Sequence, residues 1–466
     1  MQGVDKDTQE EGEEGMRTFT FFSVMVLSTS VLSGCYRPAK MQLTPLYKPW
    51  LQNPIRGEDK RAQKGAPYVS VLRQKEVIYH ILHSNVRLYL MRERTKIAQA
   101  GVGAVALLEN PEFRVMGISG ALSEGDVSNF SLRLRWNPPV PTVYEAKKDY
   151  ARAMASVSHQ TFWQEAYRLL AEARTLHTQW LSTLEHIAIA EEEVKQKKAM
   201  WAWETKRRQT GLTSTLQLTS RKLAYLQAWS SLQQMKRRAS QYRLQLMGLL
   251  NVRGPCAPPP ASVTASTSLP GRKEVLLQAL KRAPSLAMSQ AQFQAHKATL
   301  WIEKTKWIPW ISYIQVSHEF GESKWMNGFT LGVGVQLPVF NLNLGRIQQQ
   351  ETQVKAIQTQ ARLQVAQIVN NVKNAYKRWR VAKAHVQQYK TQLEQTLLQS
   401  TKQAKDSRKK PGARPEDIWR IQGQIIQLKK QYAAQKAQWQ LANIALEYAT
   451  SAPIWKKVGV TLRFKK

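Results

Sequence analysis

The sequence predicts a mixed fold, predominantly α-helical with a small β part. Long α-helical hairpins and short β-hairpins each occur twice. Three observations carry this. First, Phe329, Leu331, Val333, Val335 and Leu337 alternate with Thr330, Gly332, Gly334 and Gln336, the period of a strand with one apolar face. Second, the pattern has an echo about 200 residues earlier, where Phe130, Leu132, Leu134 and Trp136 alternate with Ser131, Arg133 and Arg135. Pro338 and Pro138 close the two runs, since proline has no N–H to give a ladder. Third, Leu218, Tyr225, Leu232, Ala239 and Leu246 recur every seven residues, with Ala228, Met235, Tyr242 and Leu249 three places later. Adding 200 gives Ile418, Ile425, Tyr432, Trp439 and Leu446, with Ile421, Leu428, Ala442 and Ala449; Gln435 is the exception. Two heptad series in step with two hairpins describe a duplicated unit.

The elements follow in order. Residues 1–15 are acidic; Met16-Arg17 then precedes an apolar run and Leu32-Ser33-Gly34-Cys35. A positive start, an apolar core and small residues at the cut make 1–34 a secretory signal segment, with translation expected to start at Met16. Residues 35–71 carry Pro38, Pro45, Pro49, Pro54 and Pro67 without a period, and read as an extended arm. The first structural repeat covers 72–252. It holds a helix from Leu72 to Gly101, a hairpin with Pro111 before its first strand, a helix from Pro141 to about Gln209, and a return helix to about Asn251. Gly211-Leu212-Thr213-Ser214 between the last two combines a helix stop with a helix start. The long helix measures about 100 Å at about 1.5 Å per residue.

Residues 253–271 read as a linker, with Pro255, Pro258, Pro259, Pro260 and Pro270. The second repeat, 272–450, has a helix from Lys273 to about Lys306, a hairpin over Trp310–Pro338, and a long helix from Leu342 to about Lys409. Pro411-Gly412-Ala413-Arg414-Pro415 turns the chain into a last helix over Glu416–Thr450. Residues 451–466 are a basic tail.

Strands of about ten residues are long enough to cross a bilayer when tilted. Four strands cannot close a barrel, and open edges in lipid leave backbone groups unsatisfied. Strands that span would therefore come from several chains: two chains make eight strands and three make twelve. By alternation Arg133 and Arg135, with Thr330 and Gln336, face a lumen, while Phe130, Leu132 and Leu134 face lipid. No internal run approaches 20 apolar residues, which excludes a helical membrane protein.

With these elements placed, the chain resembles the TolC-like outer-membrane efflux proteins, and particularly their lipoprotein members. Gly-Val-Gly-Val-Gln-Leu-Pro-Val-Phe-Asn (332–341) followed by Leu344-Gly345-Arg346 is similar to that family's strand-to-helix junction. Gly211-Leu212-Thr213-Ser214 with Leu216 and Leu218 looks like its helical tip, and Arg282-Ala283-Pro284-Ser285-Leu286 like its Arg-x-Pro-x-Leu. Leu107-Leu108-Glu109-Asn110-Pro111-Glu112 faintly resembles the heavy-metal subgroup. The match covers roughly residues 72–450. Leu-Ser-Gly-Cys resembles the bacterial lipobox, which makes Cys35 the lipidated mature N-terminus.

The resemblance implies a homotrimer in outer-membrane lipid. Its twelve-stranded β-barrel continues as a periplasmic α-helical barrel, and its tips meet a periplasmic adaptor (membrane fusion) protein linked to an inner-membrane pump. It places adaptor docking at Gly211, Leu212, Thr213, Ser214, Gly412 and Ala413, though the second tip departs from the family's usual Gly-x-x-Ser/Asp form. It also places a constriction near Lys402, Lys405 and Lys409, where the family often has acidic residues. The expected function is a passive conduit of a tripartite efflux system. The alternatives are the outer channel of a type I protein-secretion system and an exported coiled-coil scaffold.

Enzyme chemistry is not expected. There is no nucleophile elbow, no phosphate-binding glycine loop and no cysteine pair, and no cofactor is implied. His80 and His83 are the only close histidine pair and read as surface rather than as metal ligands. Cys256 has no second mature cysteine other than Cys35. The formal net charge is +35, and removing 1–34, with six acids and two bases, raises it to +39. In a cytoplasmic protein this would suggest nucleic acid. Here the signal exports the chain and the bases are spread along helix faces, so no nucleic-acid partner is expected. The charge reads either as solvated helix faces in an acid-adapted proteome or as an anion-friendly conduit.

Overall fold

The computed structural model describes residues 68–119, 128–252, 254–259, 271–306, 308–320, 328–337, 343–409 and 415–453. Cys35, Gly412 and Ala413 lie outside these residues.

The first repeat begins with α1 (Gln74–Ser84) and α2 (Val86–Val105). A single helix is expected here, but Asn85 divides it. Its extended backbone ends α1, its side chain accepts from the Leu88 N–H at 3.1 Å, and its Nδ2 donates to the Leu249 carbonyl at 2.7 Å. The same break occurs in the second repeat, between α5 (Arg272–Arg282) and α6 (Pro284–Thr305), numbering the elements between in chain order below. There Ala283 is extended because Pro284 disfavours helix at the preceding residue, and Pro284 is well placed at the first helical position.

Between these pairs run the strands β1 (Glu112–Ser119) and β2 (Ser128–Trp136) and the helices α3 (Pro141–Gln209) and α4 (Thr215–Leu250). The second repeat continues with β3 (Trp310–Phe320), β4 (Gly328–Gln336), α7 (Leu344–Lys409) and α8 (Pro415–Ala449). At 69 residues α3 is about 100 Å long. It ends at Gly211, whose φ is +77°, and α4 starts from Ser214, whose side chain accepts from the Gln217 N–H.

Each repeat closes around its own apolar cluster. Phe162, Leu169, Leu170, Leu246 and Leu250 join α1, α3 and α4, with Cys256 fully buried beside them. Val275, Ala279, Val372, Trp379 and Leu446 join α5, α7 and α8. The predicted α4 seam lies inward, with Leu232, Ala239 and Leu246 buried and its remaining members half-buried. In α8 burial is broader and also takes in Ile426, Ala433 and Ile444, because α8 packs against α3 as well as α7. Arg174 of α3 meets Glu447 of α8 at 2.5 Å, and both are buried. The Pro-rich stretch after α4 also bonds to the chain before α1: Cys256 N donates to Val69 O, and Leu72 N to Ala257 O.

The two hairpins form one antiparallel sheet in the order β1-β2-β3-β4. Register settles its faces. Phe113, Leu134, Val316 and Leu331 stand in one cross-strand row, and Val115, Leu132, His318 and Phe329 in the next. On the other face stand the rows Glu112–Arg135–Gln315–Gly332 and Arg114–Arg133–Ser317–Thr330.

Candidate functional site

The apolar face of the sheet is uncovered. Phe329 is 81% exposed, Leu331 70% and Leu337 64%, and Phe113, Val115, Leu134, Val316, Val333 and Val335 are exposed with them. From Phe329 to Leu337 this band runs about 26 Å along β4 at about 3.3 Å per residue. A monomeric soluble protein rarely carries so much contiguous exposed apolar surface. Among the described residues, no helix is long and apolar enough to cross a membrane. The sheet also has two unpaired edges, β1 and β4.

The opposite face holds four residues expected to line a lumen. Arg133, Arg135, Thr330 and Gln336 share it, the first two half-buried and the others exposed. The Arg135 guanidinium lies over the Tyr313 ring, 4.0 Å from its centroid. Tyr313 stands on this face in step with Gln315 and Ser317, the register irregularity lying before it, between Ile311 and Tyr313, and its ring crosses Gly334. Trp310 anchors the start of β3 by donating its indole N–H to the Pro138 carbonyl at 3.1 Å.

At the far end of α3, Gly211 and Leu212 are exposed, Leu212 by 66%. Thr213 is buried: its hydroxyl donates to a Glu204 carboxylate oxygen and lies 2.7 Å from Gln217 Oε1. Arg207 reaches Glu416 at the start of α8 at 3.0 Å, and Trp203 meets Trp419 edge-on at 5.3 Å. Lys402 is exposed on α7. Lys405 and Lys409 fall on the same helix, and their side chains lie outside the described residues.

Some structure was missed at the sequence level. A row of ion pairs fastens α3 to α8: Lys429–Glu192 at 2.7 Å, Lys430–Glu193 at 2.5 Å and Lys436–Glu185 at 3.1 Å. The acidic run Glu191–Glu193 in a strongly basic chain was the available signal. His177, buried beside Arg174, donates from Nε2 to the Leu72 carbonyl at 2.9 Å. Burial holds its imidazole below the usual histidine range. His80 and His83 were expected at the surface; His80 is instead buried and faces Ser84 Oγ at 3.3 Å, while His83 Nδ1 lies 2.9 Å from the Tyr79 carbonyl.

Solved structures share this architecture. The outer-membrane channel OprN superposes with a TM-score of 0.67 at 16% identity, covering 84% of this chain and 96% of that one. The outer membrane protein VceC from Vibrio cholerae gives 0.65 at 12% identity, covering 81% and 96%. The open state of the MtrE outer membrane channel of Neisseria gonorrhoeae gives 0.63 at 14% identity, covering 81% and 89%. No protein-family model and no curated protein matches the sequence.

Proposed function

From a chain that folds as the outer-membrane channels do, we infer a passive homotrimeric conduit, the outer-membrane component of a tripartite efflux system. The observation that carries this reading is the sheet, which has one exposed apolar face, one polar face and two open edges. In lipid each open edge costs several unsatisfied backbone groups, and joining β1 of one copy to β4 of the next removes both kinds of edge at once. Such a contact is head-to-tail and closes into a ring. Three copies make a twelve-stranded barrel, wide enough for a lumen lined by the polar face.

The helices support the same ring. Within one chain α4 packs chiefly on α3, and α7 on α6 and α8. Both retain exposed apolar side chains, among them Leu223 and Trp229 on α4 and Leu363 and Val381 on α7. Those faces would meet in neighbouring copies. The turn at Gly211–Ser214, with Gly412 and Ala413, would dock a periplasmic adaptor protein, and an inner-membrane pump would supply the energy. Lipidation at Cys35 would add an anchor to the barrel.

Cell fractionation tests the reading. Heat-resistant trimers in the outer membrane are expected, together with loss of export of the partner pump's cargo when the chain is deleted. Monomers in the soluble periplasm would overturn it.

A further inference from the structure

The polar face of the sheet places two guanidinium groups side by side, neither of them in an ion pair among the described residues, although Glu112 stands opposite Arg135 and feels its charge. Arg133 stands between Arg114 and Ser317, and Thr330 continues its row. Arg135 stands between Glu112 and Gln315, and its row ends at Gly332. Glu112 is taken by Arg114, whose Nε and Nη2 donate to its two oxygens at 2.8 and 3.0 Å. Glu319, the next carboxylate on this face, stands opposite Ser131 one row further along. Among the described residues neither arginine forms an ion pair, and the Nε of each is buried without a hydrogen-bond partner. The Arg135 plane is held against Tyr313, and Tyr313 lies across Gly334.

Like charges at facing strand positions repel. Here Arg114 faces Arg133, and Arg135 lies two residues along on the same face. An oxyanion between them would relieve that repulsion. The guanidinium fork matches carboxylate, sulfate and phosphate oxygens, and stacking on Tyr313 fixes one fork in advance. The Ser317 and Thr330 hydroxyls and the Gln315 amide add neutral donors around Gly332, which contributes no side chain.

We propose that Arg133 and Arg135 form an oxyanion-binding station in the conduit, and hence that its cargo is anionic, bearing carboxylate, sulfate or phosphate groups. The proposal rests on the conduit reading. In the trimer six such guanidinium groups would ring one lumen, where low-dielectric walls strengthen their field.

Purified trimers in planar bilayers under a potassium chloride gradient test it, with inorganic phosphate then added. The wild type is expected to prefer chloride to potassium, and phosphate to reduce the chloride current. The pair Arg133→Gln and Arg135→Gln is expected to lower the anion preference by about threefold or more, from the loss of two nearby charges per chain, and to abolish the phosphate effect. The pair Arg133→Lys and Arg135→Lys keeps the charge, so it should keep the preference and weaken only the phosphate effect. A cation-preferring wild type, or glutamine variants that assemble and conduct unchanged, overturns the proposal. So does a preference that moves only with Lys402→Gln. Inserted trimers that pass no current overturn the conduit reading itself, and the proposal with it.

Discussion

Gly334 shows how a single residue shapes the sheet. A Cβ there would stand 2.2 Å from Cε1 of Tyr313, so any side chain must displace the ring that supports Arg135. At Gly332 the nearest atom to a built Cβ is 3.9 Å away, an ordinary contact. Gly334→Val is therefore expected to cost about 1–3 kcal/mol by overpacking and to lower the temperature at which trimers dissociate on a gel. Gly332→Ala should leave that temperature near wild type. Equal behaviour of the two variants would mean that Tyr313 is not held across β4 in the assembled protein.

Among the elements, the α3–α4 hairpin offers the cleanest test. Gly211 is left-handed, with φ +77°, and a Cβ there would meet nothing within 4 Å, so the cost of a side chain there is in the backbone alone. Gly211→Val should strain the turn by about 1–2 kcal/mol. The buried seam of Leu232, Ala239 and Leu246 lies along α4 away from the turn and should hold. The expected result is lost export with normal trimers in the membrane fraction. Normal export would remove the docking role from this turn. Lost trimers would place the turn in the core of the assembly. The Lys429–Glu192 and Lys436–Glu185 pairs between α3 and α8 are partly exposed, and each should contribute about 0–1 kcal/mol.

The whole molecule carries a pH dependence. His80, His159, His177 and His186 all have their pKa lowered from 6.5, in each case chiefly by burial. Unfolded, they take up protons as the pH falls through 6.5. Folded, they resist protonation until lower pH, so the unfolded state binds more protons in that window. Stability is therefore unaffected by these groups well above pH 6.5. It falls below it, as the pH drops toward their lowered folded values, most for His177, the most deeply buried of the four. Added positive charge on a chain already at +35 acts in the same direction. Thermal unfolding in detergent should show a falling Tm from about pH 7.5 to about pH 5.5, with a shallower slope for His177→Gln. A flat profile would mean that these imidazoles reach water in the assembled protein.

The sequence by itself determined what depends on local periodicity. The alternation at 329–337 and its echo at 130–136 marked β4 and β2. The heptads marked the inward faces of α4 and α8, and Gly211 with Ser214 marked the turn between α3 and α4. These features were legible because a strand repeats every two residues and a helix every 3.6, so each carries its own evidence. Asn85 and Pro284 were visible too, but the breaks they impose, at equivalent places in the two repeats, show only when the divided helices are seen to pack separately. Other facts join residues far apart in the chain. These include the register that sets Arg133 beside Arg114 and Ser317, the ring of Tyr313 lying over Gly334, the Arg174–Glu447 pair and the Glu185–Glu193 row facing Lys429–Lys436. No local period encodes such contacts. They depend on which strand pairs with which and on how α8 lies against α3, and only the tertiary structure decided that.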